Sequence, residues 1–396
     1  MNGATAVYVA GVGMTPFGRR PDAGLKSLTI EAVDDALADA GIAVDRVEAA
    51  FFSNAIGGSI TGQEMVAGQV ALRAAGVDAI PIYNVENACA SASSAFQLAA
   101  QSIAAGVHDV VLAIGAEKMT HPDKAKSLAA IGGAADVDEI FGPGGPATSD
   151  RSYFMDLYAG LANEHMATYG STPADFALVA AKNQRHGATN PRAQYGGERS
   201  VDDILEARMV VPPLTVPMCS PISDGAAAAV LVSADLAAQL GRDRLRVAAS
   251  VVASGSSNAA DVNAVQRAAR RAHELAGSSP SAIDLAEVHD ATASAEIKLY
   301  EDLGFATPGG GASLIRNGRT TYGGDVVVNP SGGLLAKGHP IGATGIGQIV
   351  EAADQLLDRA GDRQVPNARV ALTQNAGGWI GVDNAAVAVT IIERTG

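Results

Sequence analysis

Ile283-Asp284-Leu285-Ala286-Glu287-Val288-His289-Asp290 is a short apolar segment that ends in two polar residues, and it follows a predicted helix that stops at Ala276-Gly277. The same order of features occurs near the N-terminus. There, a predicted helix from Ile30 to Ala40 stops at Gly41, and the apolar segment 47–54 follows it. Recurrence of elements in one order is the sequence signature of an internal repeat. The pattern predicts two similar units in one chain.

The downstream parts of the two units correspond as well. Each has an entry of small residues into a helix, then a strand, and finally an alanine-rich closing strand. These segments are 89–104, 109–114 and 226–232 in the first unit, and 342–360, 370–374 and 385–392 in the second. Alternating helices and strands favour a layered α/β core. We therefore predict an α/β fold made of two similar halves related by a pseudo-twofold axis.

The first unit contains a long insertion, from Lys118 to Pro213, that the second unit lacks. It is rich in glycine, proline and polar residues, and it contains predicted helices at 155–166 and 173–184. We interpret it as a loop domain that covers a site at the strand ends. The predicted domains are an N-terminal half (1–117 and 214–243), the inserted loop domain (118–213) and a C-terminal half (244–396).

Composition excludes several classes of protein. Of the 396 residues, 47% are hydrophobic and 18% charged, as in a well-buried globular protein. The formal net charge is −14 and no run of Lys or Arg stands out, so nucleic-acid binding is not expected. An anionic ligand is still compatible with this charge, because local Arg residues and helix N-termini bind phosphates.

The same sequence indicates a cytoplasmic protein. Its N-terminus lacks the basic region and apolar stretch of a signal peptide, and no run of eighteen apolar residues exists to span a membrane. Only two cysteines occur, Cys89 and Cys219, so no disulfide framework is expected. We interpret Cys219 as a residue that packs beside the core.

Cys89 is the first candidate for chemistry. It lies in Asn87-Ala88-Cys89-Ala90-Ser91, where an extended apolar segment turns into a helix through small residues. A helix N-terminus favours the thiolate through the macrodipole and the free backbone amides. Small neighbours leave room for a carbonyl to approach the sulfur. The alternative is a buried structural cysteine.

A glycine-rich block, Asn329 to Gly345, contains the second candidate, His339. Glycines let the backbone approach a reacting centre closely, and Pro340 restricts the orientation of the histidine. A cysteine nucleophile needs a base, and histidine is the usual one. The alternative is a solvated loop histidine. The block lacks the Gly-Lys-Ser/Thr ending of a phosphate-binding loop.

Two further segments end at polar residues that suit an acyl-transfer site. His289, at the end of its predicted strand, suits hydrogen-bond donation to a developing oxyanion, with Asp290 or Glu296 to orient it. The amides of the glycine pair in 374–379 suit a carbonyl oxygen. A solvated His-Asp pair and a tight turn are the alternatives. No His-Glu-x-x-His or Cys-x-x-Cys spacing supports a metal site, and none is predicted.

Taken together and in this order, the four blocks resemble the thiolase superfamily over essentially the whole chain. Asn87 to Ser91 resembles the nucleophile motif of that family, and Gly338-His339-Pro340-Ile341-Gly342 resembles its Gly-His-Pro-Ile-Gly block. His289-Asp290 is similar to the sterol-carrier-protein branch, since other thiolases have Asn-Glu there. The resemblance implies a duplicated five-layer α/β/α/β/α thiolase fold with an inserted loop domain that helps to bind coenzyme A.

The resemblance also implies residue roles. Cys89 would attack the substrate and hold the acyl group. His339 would activate Cys89 and line one oxyanion hole, which His289 would complete. The amides of Cys89 and Gly377 would form a second hole around the acyl-enzyme carbonyl.

Two departures from the family concern the acid/base. Most thiolases have a second cysteine where this chain has Asn375, and the sterol-carrier branch has it where this chain has Ala291. Neither asparagine nor alanine shuttles a proton at neutral pH. His339, His289, Glu296, Tyr322 or an ordered water are the replacements to weigh.

These observations lead to a main hypothesis and two alternatives. The main one is a thiolase-type acyltransferase that cleaves a 3-oxoacyl-CoA with coenzyme A, or runs the reverse condensation, through acyl-Cys89. The alternatives are a lyase of aldolase type on the same fold, and an inactive acyl-CoA-binding subunit. The resemblance implies no permanently bound cofactor, a homodimer or tetramer, and a small zinc-ribbon/OB-fold partner protein. Acyl-chain specificity and physiological direction do not follow from the sequence.

Overall fold

A computed structural model describes residues 5–142, 151–256 and 262–396, and nearly all its strands form one mixed sheet. The strands are β1 (Val7–Met14), β2 (Ala49–Ser53), β3 (Ile82–Val85), β4 (Val110–Glu117), β5 (Met209–Val211), β6 (Leu214–Thr215), β7 (Gly225–Ser233), β8 (Leu245–Ser254), β9 (Leu285–Glu287), β10 (Val327–Val328), β11 (Val370–Ile380) and β12 (Asp383–Arg394). Only β5 and β6 form a separate hairpin within this part of the chain.

The strand order repeats from one half to the other. It is β3-β2-β4-β7-β1 in the N-terminal half and β10-β9-β11-β12-β8 in the C-terminal half. In each half the first three strands are parallel and the last two are antiparallel to their neighbours. The halves meet where Tyr8 of β1 pairs with Arg246 of β8. The predicted duplication is therefore confirmed in the topology.

The helices cover both faces of the sheet and the space between its halves. They are α1 (Leu25–Ala40), α2 (Gly57–Thr61), α3 (Ala67–Ala74), α4 (Ser91–Ala104), α5 (Lys124–Gly132), α6 (Val137–Phe141), α7 (Tyr153–Tyr169), α8 (Pro173–Gly187), α9 (Val201–Leu205), α10 (Ala234–Leu240), α11 (Ala264–Ala276), α12 (Ala293–Asp302), α13 (Gly311–Arg316), α14 (Gly333–Ala336) and α15 (Thr344–Leu356). Within the described ranges, no helix is both long and apolar enough to cross a membrane.

Helices α4 and α15 form the central layer, and the strands explain why. On β4, Val111 and Ala113 face the apolar cluster around α4 and α15, whereas Leu112 and Ile114 face the cluster around α1 and α3. Successive strand residues point to opposite faces, so a strand buried on both sides is apolar throughout. A third apolar cluster packs α11 and α12 on the outer face of the C-terminal half. These layers confirm the predicted α/β/α/β/α fold.

The two central helices are in close contact at a glycine. A Cβ placed on Gly345 of α15 would lie 2.0 Å from Ser93 Oγ of α4, far inside van der Waals contact. Close approach of this kind requires a residue without a side chain. The N-termini of α4 and α15 are thereby held side by side, and these are the ends near Cys89 and His339.

The insertion contains the helices predicted from its sequence, as α7 and α8, although residues 143–150 lie outside the described ranges. It is anchored at its root by Asp224, which accepts hydrogen bonds from the amides of Met119 and Thr120 and pairs with Lys118 at 2.7 Å. Helix α8 is itself a core element, because Phe176 and Val179 are fully buried against the C-terminal half. The predicted limits of the three domains remain a prediction.

Candidate active site

A cavity of about 690 Å³ opens between the insertion and the strand ends. Its walls come from α5 and α7 of the insertion, from the turn that carries Cys89, and from loops of the C-terminal half. Cavities of this size bind small-molecule ligands. Three of the predicted site residues, Cys89, His289 and His339, line this one cavity.

These three side chains converge although they come from distant parts of the sequence. The sulfur of Cys89 and one ring nitrogen each of His289 and His339 all lie within 4.8 Å of one another. The two imidazole rings meet edge to face, with centroids 5.1 Å apart. Such a cluster places a nucleophile beside a base and a second hydrogen-bonding imidazole.

Cys89 is positioned by a tight turn that precedes α4. Residues Ala88–Ala90 form one turn of 3₁₀ helix, and Ala88 has a left-handed backbone with φ of 48°. The amide of Asn87 donates to Ser91 Oγ at 2.8 Å, and the Asn87 side chain donates to Ser94 Oγ at 2.9 Å. Serine hydroxyls at the start of α4 therefore hold the turn, which explains their density in the sequence.

The Cys89 thiol is not activated in the resting structure, contrary to the expectation from its place at a helix N-terminus. Burial and then the charge of Glu117 raise its pKa to about 12, and hydrogen bonds from the amides of Cys89 and Gly378 only partly offset this. Desolvation disfavours the charged thiolate more than the helix end favours it. The resting residue is a neutral thiol.

His339 has the orientation that a base requires. Its Nδ1 lies 2.7 Å from Thr344 Oγ1, and that hydroxyl donates its own proton to the Pro340 carbonyl oxygen at 2.9 Å. Thr344 must then accept at Oγ1, so the proton of His339 is on Nδ1 and the lone pair is on Nε2. Burial, and then the charge of His289, hold the pKa of His339 well below its usual value. A neutral imidazole with a free lone pair is the form that accepts a thiol proton.

His289 is also neutral. Burial lowers its pKa to about 4, and the neighbouring Asn375 side chain offsets this only in part. Its Nδ1 is buried and has no hydrogen-bond partner among the described residues. A neutral imidazole carries one N–H proton, and such a group suits hydrogen-bond donation to an oxyanion.

Asp290 does not orient His289, which corrects one expectation from the sequence. Its carboxyl group accepts hydrogen bonds from the amides of Leu334 and Leu335 and from the Asn183 side chain at 2.7 Å. Burial and then the charge of Glu296 raise its pKa well above the usual value. Asp290 therefore holds the start of α14 rather than the imidazole.

Glu296 lies in the support beneath the site and does not line the cavity. It pairs with Lys182 and accepts hydrogen bonds from the side chains of Asn183 and Asn329, each at 2.7 Å. Asn329 in turn accepts from the Val288 amide at 2.9 Å. Through these contacts α8 and the 329–336 loop fix the strand end that carries His289.

Tyr322 is likewise removed from the site. Its hydroxyl donates to the Pro330 carbonyl oxygen at 3.1 Å, and its ring packs on His186 with centroids 4.5 Å apart. It does not line the cavity. Among the acid/base replacements weighed from the sequence, Glu296 and Tyr322 are thus placed away from the thiol.

Gly377 and Asn375 bring β11 against the Cys89 turn. A Cβ on Gly377 would lie 2.0 Å from the Asn87 carbonyl oxygen, so only glycine fits this approach. Besides the amide of Cys89 itself, the sulfur accepts a hydrogen bond from the amide of the next residue, Gly378. Asn375 is fully buried and donates to Gln348 Oε1 at 3.2 Å. Its predicted place with Gly377 at the oxyanion site remains a prediction.

Glu117 is a functional candidate that the sequence reasoning missed. It is fully buried at the end of β4, and it accepts hydrogen bonds from the amides of Gly342 (2.8 Å) and Ala55 (2.9 Å). It thus joins the loop after His339 to the N-terminal half. Burial raises its pKa to about 7. The sequence signal that could have identified Glu117 is its place as a polar residue at the end of a strand that occurs in both halves.

The charge of the cavity lining was also not foreseen. Five cationic side chains line the cavity, whereas none of its lining residues is Asp or Glu, in a chain with 42 acidic residues. The cations are Arg19, Lys124, Arg151, Arg199 and Arg208. An electropositive cleft in an acidic protein concentrates anionic ligands. The insertion contributes four of the five, so its charged residues, scattered along the sequence, meet only in the fold.

Comparison with known proteins agrees with this architecture. Residues 7–198 match the family model described as thiolase, N-terminal domain, and residues 248–390 match that described as thiolase C-terminal domain-like. The chain is 39% identical to an acetyl-CoA acetyltransferase of Methanothermobacter thermautotrophicus, over 94% of this chain and 96% of the relative.

Two further relatives span most of the chain. Bovine sterol carrier protein 2 is 37% identical over 94% of this chain and 70% of its own length. The benzoylsuccinyl-CoA thiolase subunit BbsB of Thauera aromatica is 36% identical over 94% of each chain. The solved structure of an Ltp2-ChsH2(DUF35) aldolase superimposes with a TM-score of 0.78 over 98% of both chains, at 23% identity, which establishes a common fold only.

Proposed function

The chain belongs to the thiolase family and is an enzyme of the acyltransferase type, and on that premise we propose that it is an acyl-CoA C-acyltransferase. It would cleave a 3-oxoacyl-CoA with coenzyme A, or run the reverse condensation, through an acyl group on Cys89. The observation that carries the proposal is the convergence of Cys89, His339 and His289 within 4.8 Å in one cavity.

The first step follows from the neutral state of both Cys89 and His339. The Cys89 sulfur attacks the 3-oxo carbonyl carbon while His339 Nε2 takes the thiol proton, because neither group is ionised at rest. The resulting alkoxide would lie at the amides of Cys89 and Gly378, the two that contact the Cys89 sulfur. Amides fixed in place before the reaction stabilise such an oxyanion without reorganising.

The second step breaks the bond between C2 and C3 of the substrate. Its electron pair forms the enolate of the departing acetyl-CoA, and the acyl group stays on Cys89 as a thioester. His289 and His339 would donate hydrogen bonds to the enolate oxygen. Coenzyme A then takes the acyl group from Cys89, which regains its proton from His339.

The cavity suits a coenzyme A ester in charge as well as in size. The phosphates of coenzyme A are anionic, and Arg19, Lys124, Arg199 and Arg208 line the cavity without any carboxylate among the lining residues. We propose that these cations hold the phosphates while the thioester reaches Cys89. No permanently bound cofactor enters this reaction.

A homodimer is the assembly that the N-terminal half supports. Strand β3 is an edge strand of the described sheet, with Tyr83 half exposed, and Met65 and Val66 lie exposed on the same half. An unpaired edge beside apolar side chains is a template for pairing with a second copy. Sedimentation velocity at micromolar concentration tests this: a single monomeric boundary would contradict it.

A small partner protein and a cytoplasmic location complete the proposal. The relative from Thauera is named a subunit, and the aldolase of similar fold is titled with a DUF35 component, which supports a partner for this chain too. Cys89 must remain a free thiol to act, and thiols persist in the reducing cytoplasm.

The test is intact-protein mass spectrometry after brief incubation with acetyl-CoA or acetoacetyl-CoA, together with the Cys89→Ala variant. We expect an acetyl-sized mass gain that is absent from the variant. Thiolysis of a panel of 3-oxoacyl-CoA esters, from acetoacetyl-CoA to benzoylacetyl-CoA, then defines the substrate range. Absence of any adduct with all of these esters would overturn the proposal.

The Cys89→Ser variant separates the acyltransferase from a lyase. An aldolase does not need the thiol and would keep its rate of carbon–carbon cleavage in this variant. The acyltransferase should lose at least about 10³-fold in kcat, because a hydroxyl with its much higher pKa is a poor replacement for a thiol in a site built around sulfur. An inactive binding subunit would bind acyl-CoA but show neither adduct nor turnover with the wild-type sequence.

A further inference from the structure

The proposed reaction leaves one proton without a carrier. Cleavage produces a carbanion at C2 that must be protonated, and the incoming coenzyme A thiol must later be deprotonated. Asn375 and Ala291 stand where thiolases have a cysteine for this purpose, and neither side chain can transfer the proton. The inference below rests on the proposed function and concerns this step.

Outside the Cys89 cluster, a few cavity-lining side chains carry a proton that they could exchange with substrate. They are His121, Lys124, Tyr158, Tyr195 and Cys219. Glu117, although it titrates near neutrality, gives its carboxylate oxygens to backbone amides and does not line the cavity. Because the proposed reaction already assigns His339 to the thiol proton and His289 to the enolate oxygen, we seek the carrier in this set of five.

Tyr158 stands out by its position. It lies on α7 of the insertion, on the stretch that faces the cavity with Phe154, Met155 and Leu157. Its ring is partly buried against the apolar cluster of the C-terminal half. Its hydroxyl makes no hydrogen bond with any described residue, and it is not among the buried polar atoms that lack a partner, so it is open to the cavity. The hydroxyl is therefore available to a ligand in the cavity.

Tyr158 and the reacting sulfur of Cys89 line the same cavity. Burial and then the negative charge of a Cys89 thiolate raise the pKa of the Tyr158 phenol. The phenol is therefore protonated at rest, which is the form needed to meet a carbanion.

Cys219 is the competing group. It lines the same cavity as Ala291, the position where the sterol-carrier branch has its cysteine, and it forms an isolated antiparallel bridge with Thr292. Its surroundings differ from those of Tyr158. It packs against the apolar cluster of the C-terminal half, and Arg208 rather than Cys89 is the charge that acts on its pKa.

We propose that the Tyr158 hydroxyl is the acid/base of this enzyme and replaces the missing second cysteine. When the C2–C3 bond breaks, its electron pair becomes the enolate, C2 takes the proton of the Tyr158 hydroxyl, and a phenolate remains. Acetyl-CoA departs. The thiol of the incoming coenzyme A gives its proton to the phenolate, and the resulting thiolate attacks the acyl-Cys89 carbonyl. Cys89 leaves as thiolate and takes its proton back from His339, so that every group is restored.

If the Tyr158 hydroxyl is the acid/base, its loss should affect one half of the reaction and spare the other. A purely structural role would affect both halves equally. Acylation of Cys89 by p-nitrophenyl acetate needs no acid, because p-nitrophenolate leaves unaided. Exchange of the C2 hydrogens of acetyl-CoA in D₂O, and thiolysis of acetoacetyl-CoA, both need the acid/base. Tyr158→Phe keeps the ring and its packing and removes only the hydroxyl.

We expect Tyr158→Phe to be acylated by p-nitrophenyl acetate within about threefold of the wild-type rate, while exchange and thiolysis fall at least about 100-fold, the usual range for loss of a general acid or base. Tyr153→Phe is the matched control, because it makes the same change on α7 outside the cavity lining. It should keep both activities.

Three outcomes would overturn the inference. The first is thiolysis by Tyr158→Phe within about threefold of wild type, and the second is an equal loss of acylation and exchange, which indicates a structural role. The third is loss of exchange in Cys219→Ala with Tyr158→Phe unaffected, which assigns the proton to that thiol. Failure of the proposed function is recognised separately, because the wild-type enzyme would then form no acyl-Cys89 from acetyl-CoA.

Discussion

The two halves of the molecule have the same strand order and yet contribute opposite parts of the site. The N-terminal half presents Cys89 at the start of α4, and the C-terminal half presents His289 after β9 and His339 just before α15. At the start of α15, the counterpart of α4, there is no cysteine; Thr344 stands there and orients His339. Repetition of a fold thus repeats the scaffold and not the chemistry, and catalysis requires both copies.

We expect the largest loss of activity from His339→Ala, which tests how the two halves divide the chemistry. The variant removes the base of the C-terminal half and leaves the nucleophile of the N-terminal half in place. Because the Cys89 pKa is raised to about 12, the thiol then has no acceptor for its proton. We expect kcat to fall about 10²–10⁴-fold, measured as thiolysis of the best 3-oxoacyl-CoA. His108→Ala, outside the cavity, is the control. An unchanged rate in His339→Ala would show that the C-terminal half does not supply the base.

A smaller effect is expected from His289→Ala, since this residue would stabilise charge rather than move the thiol proton. Loss of one oxyanion donor costs about 10²–10³-fold in kcat. The KM should change far less, because the donor acts on the enolate rather than on the bound substrate. Steady-state kinetics distinguish the two parameters. A variant in which KM alone rises would make His289 a binding residue.

The contact between the halves can be tested with Gly377→Ala. A Cβ at this position would lie 2.0 Å from the Asn87 carbonyl oxygen, so β11 and the Cys89 turn would have to move apart. Overpacking of this kind costs about 1–3 kcal/mol in the free energy of unfolding. Gly160→Ala, on α7 with nothing within 4 Å, is the matched control and should be neutral or slightly stabilising. Urea denaturation compares them, and equal stability of the two variants would contradict the close approach.

The smallest effect concerns Glu117, which joins the loop after His339 to the N-terminal half. Its pKa is raised in the folded protein to about 7 from the ordinary 4.5, so the folded state holds the proton more tightly. This contribution to stability is present below pH 4.5 and is lost as pH rises through 7. We expect Glu117→Gln to reduce the loss of stability between pH 5 and 8 by roughly 1–2 kcal/mol.

Thermal unfolding at several pH values measures this slope, with the exposed Glu64→Gln as the control for a surface carboxylate. The slope is independent of any constant cost from the lost amide contacts. If wild type and Glu117→Gln lose stability in parallel from pH 5 to 8, the carboxyl group is ionised throughout and the assignment is wrong.

Much of the fold was predictable because the helix and strand patterns occur twice in one order. Cys89, His289 and His339 could be selected because each follows a recognisable strand or glycine-rich turn. The partners of Asp290 and Glu296 could not, since Asn183 and Lys182 lie on a helix of the insertion more than a hundred residues away in sequence. No sequence pattern singled out Tyr158 either, because only the fold brings α7 to the cavity.

Burial opposes the thiolate that a helix N-terminus favours, for a physical reason that sequence does not contain. A helix N-terminus is visible as a motif, whereas the desolvation of Cys89 and the charge of Glu117 depend on what surrounds the sulfur in three dimensions. Slow alkylation by iodoacetamide at neutral pH is consequently expected of the working enzyme too. It would not distinguish an active site from an inert one.

The neutral state of the Cys89 thiol also affects how readily this cysteine is oxidised between turnovers. Peroxide oxidises the thiolate form of cysteine, and the irreversible sulfinic and sulfonic acids follow from that first attack. Because burial raises the pKa of Cys89, we expect peroxide to oxidise the nucleophile slowly whenever no substrate is bound. The burial that makes catalysis depend on His339 should then also protect the sulfur between turnovers.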